Sequence, residues 1–173
     1  MIQGERIYLR PVRIIDIPLI MQWENNPENW IVSETEKAYT FEEINLLVDS
    51  SEDIFENGQL RLMIILKSVD EPIGTLDLFQ AVIEDGTVHV GILIADANKR
   101  RNGYAEEAIR LATNYVFQEL KFENLICSVQ SFNQPSLELF KKCGFEVLTE
   151  GKENPIFDQN SSETILMRLC LKK

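Results

Sequence analysis

The sequence is poor in cysteine, proline and glycine, and each shortage excludes a class of protein. Only three cysteines occur among 173 residues, and none belongs to a Cys-x-x-Cys pair, so a disulfide framework and a zinc site are disfavoured. Six prolines and eight glycines are too few for a linker-rich or collagen-like chain. No apolar run is long enough to cross a bilayer, and no basic stretch followed by an apolar one begins the sequence. We therefore expect a soluble protein of the reducing cytoplasm, without a metal ion.

Positive charge is also scarce. The 17 Lys and Arg residues face 28 Asp and Glu residues, which gives a formal net charge of -11. Because an acidic surface repels phosphate backbones and anionic lipid, we expect no nucleic-acid partner and no membrane partner. Most of the negative charge lies between Trp23 and Glu56, where the sole basic residue is Lys37. A cationic partner remains compatible with this charge.

Length and apolar content predict one domain over residues 1–173, since 45% of the residues are hydrophobic and can form a substantial core. The Asp85-Gly86 pair predicts a β-hairpin turn. Asp16 is expected to cap a first helix, and Thr40 with Glu43 forms the capping-box pattern of a second. Seven strands are predicted at residues 7–10, 60–66, 73–83, 87–94, 125–129, 145–148 and 164–171, and later helices at 105–120 and 136–142. Hairpins followed by alternating helices and strands indicate an α+β fold (α/β mixed sheet).

Residues 91–105 are the most informative part of the sequence. An apolar strand runs into a polar loop that contains Lys99, Arg100, Arg101 and a single glycine, Gly103, and a long helix follows. The first N–H groups of a helix lack internal partners, so this arrangement can hold a pyrophosphate. A solvated strand-to-helix turn is an equal alternative, since one glycine loop is a weak signal. Neither a Walker A loop nor a G-x-G-x-x-G fingerprint is present.

Two blocks of the sequence resemble one known family. Arg100-Arg101-Asn102-Gly103-Tyr104-Ala105 is similar to the Q/R-x-x-G-x-G/A signature of the GNAT superfamily of acyl-CoA N-acetyltransferases, and residues 133–145 resemble its N-x-x-S/A-x-x-[LIV]-[YF]-x-K-x-G-F segment. Residues 7–11 and 23–27 resemble the branch of ribosomal-protein alanine and spermidine acetyltransferases. The resemblance covers nearly the whole chain in the right order. It implies the GNAT fold, with a central, mostly antiparallel seven-stranded sheet flanked by helices, and acetyl-CoA as the co-substrate.

The resemblance also implies positions for the coenzyme. The backbone of Ile92, Leu93 and Ile94 would bond the pantetheine arm as an added strand would. The backbone N–H groups of the first block, Arg100 to Ala105, would hold the pyrophosphate. Asn133 matches the family residue that hydrogen-bonds the pantetheine or substrate region, although sequence alone slightly favours a helix cap there.

Acetylation of an amine needs a proton acceptor, because a protonated amine has no lone pair with which to attack. His89 is the sole histidine and stands where related enzymes carry a Glu, so we expect it to act as the base, through a water; a surface histidine is the equal alternative. Phe140 stands where many relatives place a Tyr acid, but a phenyl ring has no proton to give, so no general acid is named. Phe140 is expected to line the thioester channel or to belong to the core. Cys127, Cys143 and Cys170 are expected to pack rather than to carry an acetyl group.

Acceptor binding is expected on the acidic side of the molecule. The resemblance places residues 23–56 beside the acceptor cleft, where Trp30, Glu34 and Glu36 would bind a cationic amine. For most of the acidic residues, a solvated helix face is the better explanation. The predicted function is acetyl transfer from acetyl-CoA to a primary amine (a polyamine or diamine, a protein N-terminus or an amino metabolite) by direct attack in a ternary complex. The alternative is a non-catalytic CoA-binding or sensory module on the same fold, and a homo-oligomer is compatible with both.

Overall fold

The computed structural model describes residues 1–33, 37–148 and 164–171. Within these residues the strands are β1 (Ile2–Gln3), β2 (Ile7–Pro11), β3 (Leu60–Leu66), β4 (Glu71–Val82), β5 (Thr87–Ile94), β6 (Asn124–Gln130), β7 (Glu146–Val147) and β8 (Thr164–Cys170). The helices are α1 (Ile17–Glu24), α2 (Pro27–Ser33), α3 (Phe41–Asp49), α4 (Ile54–Asn57), α5 (Tyr104–Gln118) and α6 (Gln134–Lys142). Short 3₁₀ turns precede α1 at Ile14–Asp16 and α5 at Ala97–Lys99.

The described strands form one sheet in the order β1-β2-β3-β4-β5-β6-β8-β7. Every neighbouring pair is antiparallel except β5 and β6, which run parallel. The predicted mixed, mostly antiparallel sheet is therefore confirmed, with eight described strands in place of seven. The additional strand, β1, has two residues at the sheet edge. That is too few for an alternating pattern to reveal it.

Alternation along the strands separates two apolar cores. On one face, the sheet packs against α5, whose Ala108, Ile109, Ala112 and Val116 are fully buried. These positions recur at helical spacing, as the sequence predicts. On the other face, α1 and α3 cover β3 through a second cluster that includes Met63. The candidate site lies where this second covering ends and β5 begins to separate from β6.

The two predicted helix caps have different outcomes. Thr40 and Glu43 form the predicted capping box: the Glu43 N–H donates to Thr40 Oγ1 at 3.2 Å, and the Thr40 N–H donates to Glu43 Oε2 at 2.8 Å. The Asp16 side chain makes no capping bond to α1. Its carboxylate instead accepts two bonds from the Arg10 guanidinium, at 2.7 and 2.8 Å, and one from the Arg13 N–H at 2.8 Å. The predicted cap at Asp16 is wrong because a nearby Arg offers a stronger, charge-assisted partner.

The short helices α2 and α4 have no counterpart among the predicted elements. The Asn25-Asn26-Pro27 run predicts the end of α1, and α1 does end at Glu24. Pro27 then begins α2, because the fixed φ of proline suits a first helical turn. α4 is a single turn capped by Asp53, whose carboxylate accepts from two backbone N–H groups at its start. Both helices are too short for their apolar spacing to be recognised.

Candidate functional site

Strands β5 and β6 diverge in the middle of the sheet. They pair over three residues only, from Thr87↔Asn124 to His89↔Ile126, although β5 continues to Ile94. The other edge of β5 stays paired with β4 as far as Ile94. Beyond His89, the edge of β5 that faces β6 therefore has no strand partner within the described residues. An extended molecule can add to such an edge through its own polar groups.

Along this open part of β5, alternate backbone groups face the gap. A Cβ placed on Gly74 of β4 would lie 2.0 Å from the Leu93 carbonyl oxygen, so that carbonyl is directed at β4. Two residues further on, the Ala95 N–H also bonds to the β4 side. Because successive peptide groups alternate in direction along a strand, the backbone groups of Ile92 and Ile94 point into the gap.

The three predicted pantetheine contacts are therefore not equivalent. The Ile94 carbonyl already accepts a hydrogen bond from Arg100 Nε at 2.9 Å, and Arg100 Nη2 donates to Oδ1 of the buried Asn29 at 2.7 Å. The Leu93 carbonyl faces β4, so the geometry gives no support to the contact predicted for the backbone of Leu93. The Ile92 backbone groups point into the gap, and the contact of Ile92 with a pantetheine stays a prediction, as does that of Ile94.

The loop before α5 presents a row of free backbone donors. Arg101 and Gly103 have left-handed backbone conformations, with φ of 61° and 80°, and α5 begins without a side-chain cap. Within the described residues, the N–H groups of residues 101–105 have no hydrogen-bond acceptor, whereas the Arg100 N–H bonds to the preceding 3₁₀ turn at 3.2 Å. Such a row at the positive end of a helix suits a diphosphate. Five of the six predicted donors are thus available: Arg101, Asn102, Gly103, Tyr104 and Ala105.

Arg6, just before β2, braces this loop. Its Nη1 donates to Asn102 O at 2.8 Å and its Nε to Glu107 Oε2 at 3.0 Å. Glu107 Oε1 also accepts the backbone N–H groups of Arg6 and Ile7, at 2.8 and 3.2 Å. The guanidinium carbon lies 5.0 Å from the centroid of the Tyr104 ring, which is a cation–π contact. Arg6 and Glu107 stand 101 positions apart, so no local sequence pattern reveals this brace.

His89 lies where the two strands part, and it is buried, with 7% of its surface exposed. Its ring packs against that of Phe79, the residue opposite it on β4, with centroids 5.6 Å apart and an interplanar angle of 51°. Burial lowers the pKa of His89 below its usual value, so the imidazole is neutral at neutral pH and can accept a proton. A surface histidine, the alternative interpretation, is wrong. The role of His89 as base stays a prediction.

A charged cluster that the sequence analysis does not identify lies near His89. Arg61 of β3 donates to Asp77 of β4, with Nε to Oδ1 at 2.5 Å and Nη2 to Oδ2 at 3.3 Å. Its Nη1 donates to Glu24 Oε1 of α1 at 2.8 Å. Burial alone lowers the pKa of Arg61, but the charges of Asp77 and Glu24 outweigh it and raise that pKa. The signal in the sequence is an Arg within an otherwise apolar strand. These three residues are called the Glu24–Arg61–Asp77 cluster below.

Of the three residues predicted to bind the acceptor, the structure describes Trp30. The Trp30 indole N–H donates to the Glu24 carbonyl oxygen at 2.6 Å, which ties α2 to the end of α1. Trp30 therefore helps to hold the two helices together, and its contact with an acceptor stays a prediction. Glu34 and Glu36 lie outside the described residues.

Asn133 and Phe140 both take the structural role that the sequence leaves open. Asn133 Oδ1 accepts from the Ser136 N–H at 3.2 Å and so caps α6. Phe140 is 3% exposed and lies edge-on to Phe145, with ring centroids 5.0 Å apart. These observations do not test a contact with a coenzyme, which stays a prediction for both residues.

Two of the three cysteines pack as predicted. Cys127 and Cys143 are buried, and burial raises the pKa of both thiols. Because the thiolate is the nucleophilic form, this environment disfavours an acetyl-cysteine at Cys143. Cys170 is exposed, so the packing role predicted for it is wrong.

A groove of about 860 Å³ lies elsewhere, between β1 to β3, α4 and the second half of α5. It is lined by carboxylates and by the rings of Phe55 and Tyr115, and by none of the described residues predicted to bind a coenzyme or an amine. The gap between β5 and β6 and the loop before α5 therefore form the candidate site. Among the described residues, no three potential metal ligands come together. No helix in the same part of the chain has the length and apolarity to span a bilayer.

The known proteins that are similar to this chain are described as acetyltransferases. The family described as an acetyltransferase (GNAT) domain matches residues 6–146. A Bacillus subtilis (strain 168) protein named probable N-acetyltransferase YjcK is 30% identical over 152 residues, which cover 84% of this chain and 83% of that protein. The fold is similar to spermidine N-acetyltransferase from Vibrio cholerae in complex with CoA and spermine, with a TM-score of 0.82, 20% identity and 96% of both chains covered. It is also similar to a GNAT-family acetyltransferase from Bacillus anthracis, with a TM-score of 0.79, 20% identity and 98% and 97% of the two chains covered.

Proposed function

Because the chain belongs to the GNAT acetyltransferase family and is therefore an acetyl-CoA-dependent N-acetyltransferase, we propose that it acetylates a primary amine by direct attack in a ternary complex. The observation that carries this proposal is the gap between β5 and β6 together with the free N–H groups of residues 101–105. In the proposal, residues 1–173 act as a single catalytic domain.

The residues around the gap fit an acyl-CoA in two ways. The Ile92 backbone offers an N–H and a carbonyl to the amides of the pantetheine arm, as a neighbouring strand would. The N–H groups of residues 101–105 offer fixed donors to the diphosphate, and the positive end of α5 adds a favourable field. Bound acetyl-CoA supplies the activated acetyl group. Asn133 caps α6 and Phe140 lies on it, where they would border the pantetheine and the thioester.

The chain's own contribution to the chemistry is the removal of a proton. The acceptor nitrogen attacks the thioester carbonyl carbon, a C–N bond forms, the C–S bond breaks and the coenzyme leaves as a thiolate. His89, neutral because burial lowers its pKa, takes the proton of the acceptor nitrogen through a water. Phe140 has no proton to give, so the thiolate leaves unprotonated or takes a proton that the amine has lost.

The acceptor belongs to the polyamines and diamines, the protein N-termini or the amino metabolites. A fold neighbour named as a spermidine N-acetyltransferase supports the first of these. The Glu24–Arg61–Asp77 cluster supports it too, since it adds negative charge on the acceptor side. Three free thiols favour a reducing cytoplasm as the location. A dodecameric neighbour of the same name supports a homo-oligomeric assembly.

Thiol release tests the proposal. Protein, acetyl-CoA and a panel of amines are mixed, and free coenzyme A is measured over time. Turnover with at least one amine supports an enzyme of this class. Tight acetyl-CoA binding without turnover on a panel that includes polyamines, peptides and amino metabolites would instead support a non-catalytic coenzyme-binding module.

A further inference from the structure

We infer that the Glu24–Arg61–Asp77 cluster binds a second positive charge on the acceptor, so that the preferred substrates are diamines or polyamines rather than amines with a neutral chain. This inference rests on the proposed function, because it needs an amine acceptor beside β5. It concerns residues of α1, β3 and β4, none of which belongs to the segments predicted to bind the coenzyme.

The cluster carries an uncompensated charge. Two carboxylates face one guanidinium, which leaves one negative charge. The side chains of Glu24 and Arg61 are only 11% and 12% exposed, and that of Asp77 is 26% exposed. Within the described residues, no other cation pairs with Glu24 or Asp77. A largely buried carboxylate without a full counter-charge favours the binding of a cation, and Asp77 is the member that a cation can reach from solvent.

Gly91 leaves room for an acceptor beside Asp77. In the ladder between β4 and β5, Asp77 lies opposite Gly91 and Phe79 lies opposite His89, so these four residues share one face of the sheet. Among the described residues, a Cβ added to Gly91 would meet a single atom within 4 Å, Phe79 Cε1 at 3.6 Å. Within that part of the chain, the sheet face over Gly91 is therefore open between the Asp77 side chain and the His89 ring.

His89 supplies an independent observation that points to a ligand at this place. His89 is 7% exposed, and no hydrogen bond to either ring nitrogen is made within the described residues. Neither nitrogen is among the fully enclosed polar atoms that lack a partner, so the polar edge of the ring is open to the space beside it, where a ligand can bond to it. A proton acceptor and a fixed negative charge thus flank the space over Gly91.

A single nitrogen cannot satisfy both groups during the reaction. The reacting nitrogen must lose its proton before it attacks, and it then no longer compensates the charge of Asp77. The gap that receives the acyl chain lies on the far side of β5, about 7 Å from β4 when strands are about 4.8 Å apart. A second ammonium group, joined to the first by a few methylenes, keeps Asp77 paired while the first nitrogen reacts at the gap.

The test compares two amines of equal chain length, diaminobutane and butylamine, in the thiol-release assay. In the wild-type protein we expect a lower KM for diaminobutane. Asp77→Asn removes the charge but keeps the size, and it should raise KM for diaminobutane about tenfold, the loss of one charge-assisted bond. It should change KM for butylamine less than about twofold. Asp85→Asn, the same change in the exposed hairpin turn, is the matched control and should leave both KM values unchanged.

If Asp77→Asn does not fold, the wild-type preference for diaminobutane over butylamine still tests the second charge, and a second variant tests the position of the acceptor. Gly91→Val fills the space over β5 with a side chain whose Cβ makes only an ordinary contact, and it should raise KM for both amines while coenzyme A binding stays intact. Equal effects of Asp77→Asn on the two amines, or no preference for diaminobutane in the wild type, would overturn the inference and leave the proposed function standing. Failure of the wild type to acetylate any amine would overturn both.

Discussion

The loop that begins α5 and the sheet face over Gly91 differ in charge and in the groups that form them. The loop has basic side chains, and it offers the backbone N–H groups of residues 101–105 to an anion. The face over Gly91 offers the carboxylate of Asp77 and the ring of His89, which come from two separate strands. Backbone donors persist when side chains change, whereas a side-chain site is lost with one substitution. Changes in backbone conformation should therefore affect the coenzyme, and changes in side-chain chemistry should affect the acceptor.

The largest expected effect is that of His89→Ala on the acceptor side. Loss of a general base lowers kcat/KM by about a hundredfold to ten-thousandfold. The Kd for coenzyme A, measured by calorimetry, should stay unchanged, because the coenzyme is held by backbone groups. Phe79→Leu is the matched control: it removes the ring packed on His89 but leaves the base, so its loss of activity should be much smaller. An unaltered kcat/KM in His89→Ala would remove His89 from the mechanism.

The pH dependence of kcat/KM sharpens the same assignment. Only the neutral imidazole accepts a proton, and burial lowers the pKa of His89 below 6.5. As the pH falls, activity should therefore decline with a midpoint below the ordinary pKa of histidine, as the imidazole becomes protonated. The decline due to the imidazole should be missing from the residual activity of His89→Ala. An acidic limb of the same midpoint in both proteins would assign it to another group.

Gly103→Ala tests whether the loop before α5 binds the coenzyme. A Cβ there would be strained at a φ of 80° and would lie 3.1 Å from Arg6 Nη2, so the Arg6 guanidinium that holds the loop must move. We expect about tenfold weaker coenzyme A binding with KM for the amine unchanged. Gly58→Ala is the matched control, since Gly58 has a φ of 69° and no atom of the described residues lies within 4 Å of an added Cβ. Both variants should lose similar stability, about 1 kcal/mol, and equal coenzyme A affinities in the two would contradict a role for the loop.

The smallest expected effect is that of Arg6→Ala, which removes the brace of the loop. Loss of the contact with the Tyr104 ring and of the bond to Asn102 O should weaken coenzyme A binding about two- to fivefold. Arg6→Lys should restore the charge but not the bonds of the planar guanidinium, and so it should recover only part of the affinity. The exposed Arg13→Ala serves as control for the loss of one positive charge. Equal binding by Arg6→Ala and Arg13→Ala would show that the brace has no part in coenzyme binding.

Features that depend on neighbouring residues could be predicted from the sequence. The Asp85-Gly86 turn joins β4 and β5 as expected, with Gly86 at a φ of 59°. The capping box at Thr40 and the buried stripe of α5 also follow from residues a few positions apart. The loop before α5 could also be predicted from neighbouring residues, because its free N–H donors come from consecutive peptide groups.

Features that join distant residues could not be predicted. Arg61 bonds to partners 16 and 37 positions away, and a strand pattern does not reveal which carboxylates the fold brings to it. The Leu93 carbonyl is directed at β4, where Gly74 lies close to it. The alternation of residues along one strand does not show which neighbouring strand a given carbonyl faces. Asp16 shows a related difficulty. An Asp just before a helix is typical of a cap, but in the folded chain its carboxylate accepts hydrogen bonds from the Arg10 guanidinium instead.

A crystal structure of the protein with coenzyme A tests the central claim most directly. We expect the diphosphate oxygens within hydrogen-bond distance of the N–H groups of residues 101–105, and a pantetheine amide paired with the Ile92 backbone in the gap between β5 and β6. A coenzyme bound in the groove beside α4, or no binding at all in calorimetry, would contradict it.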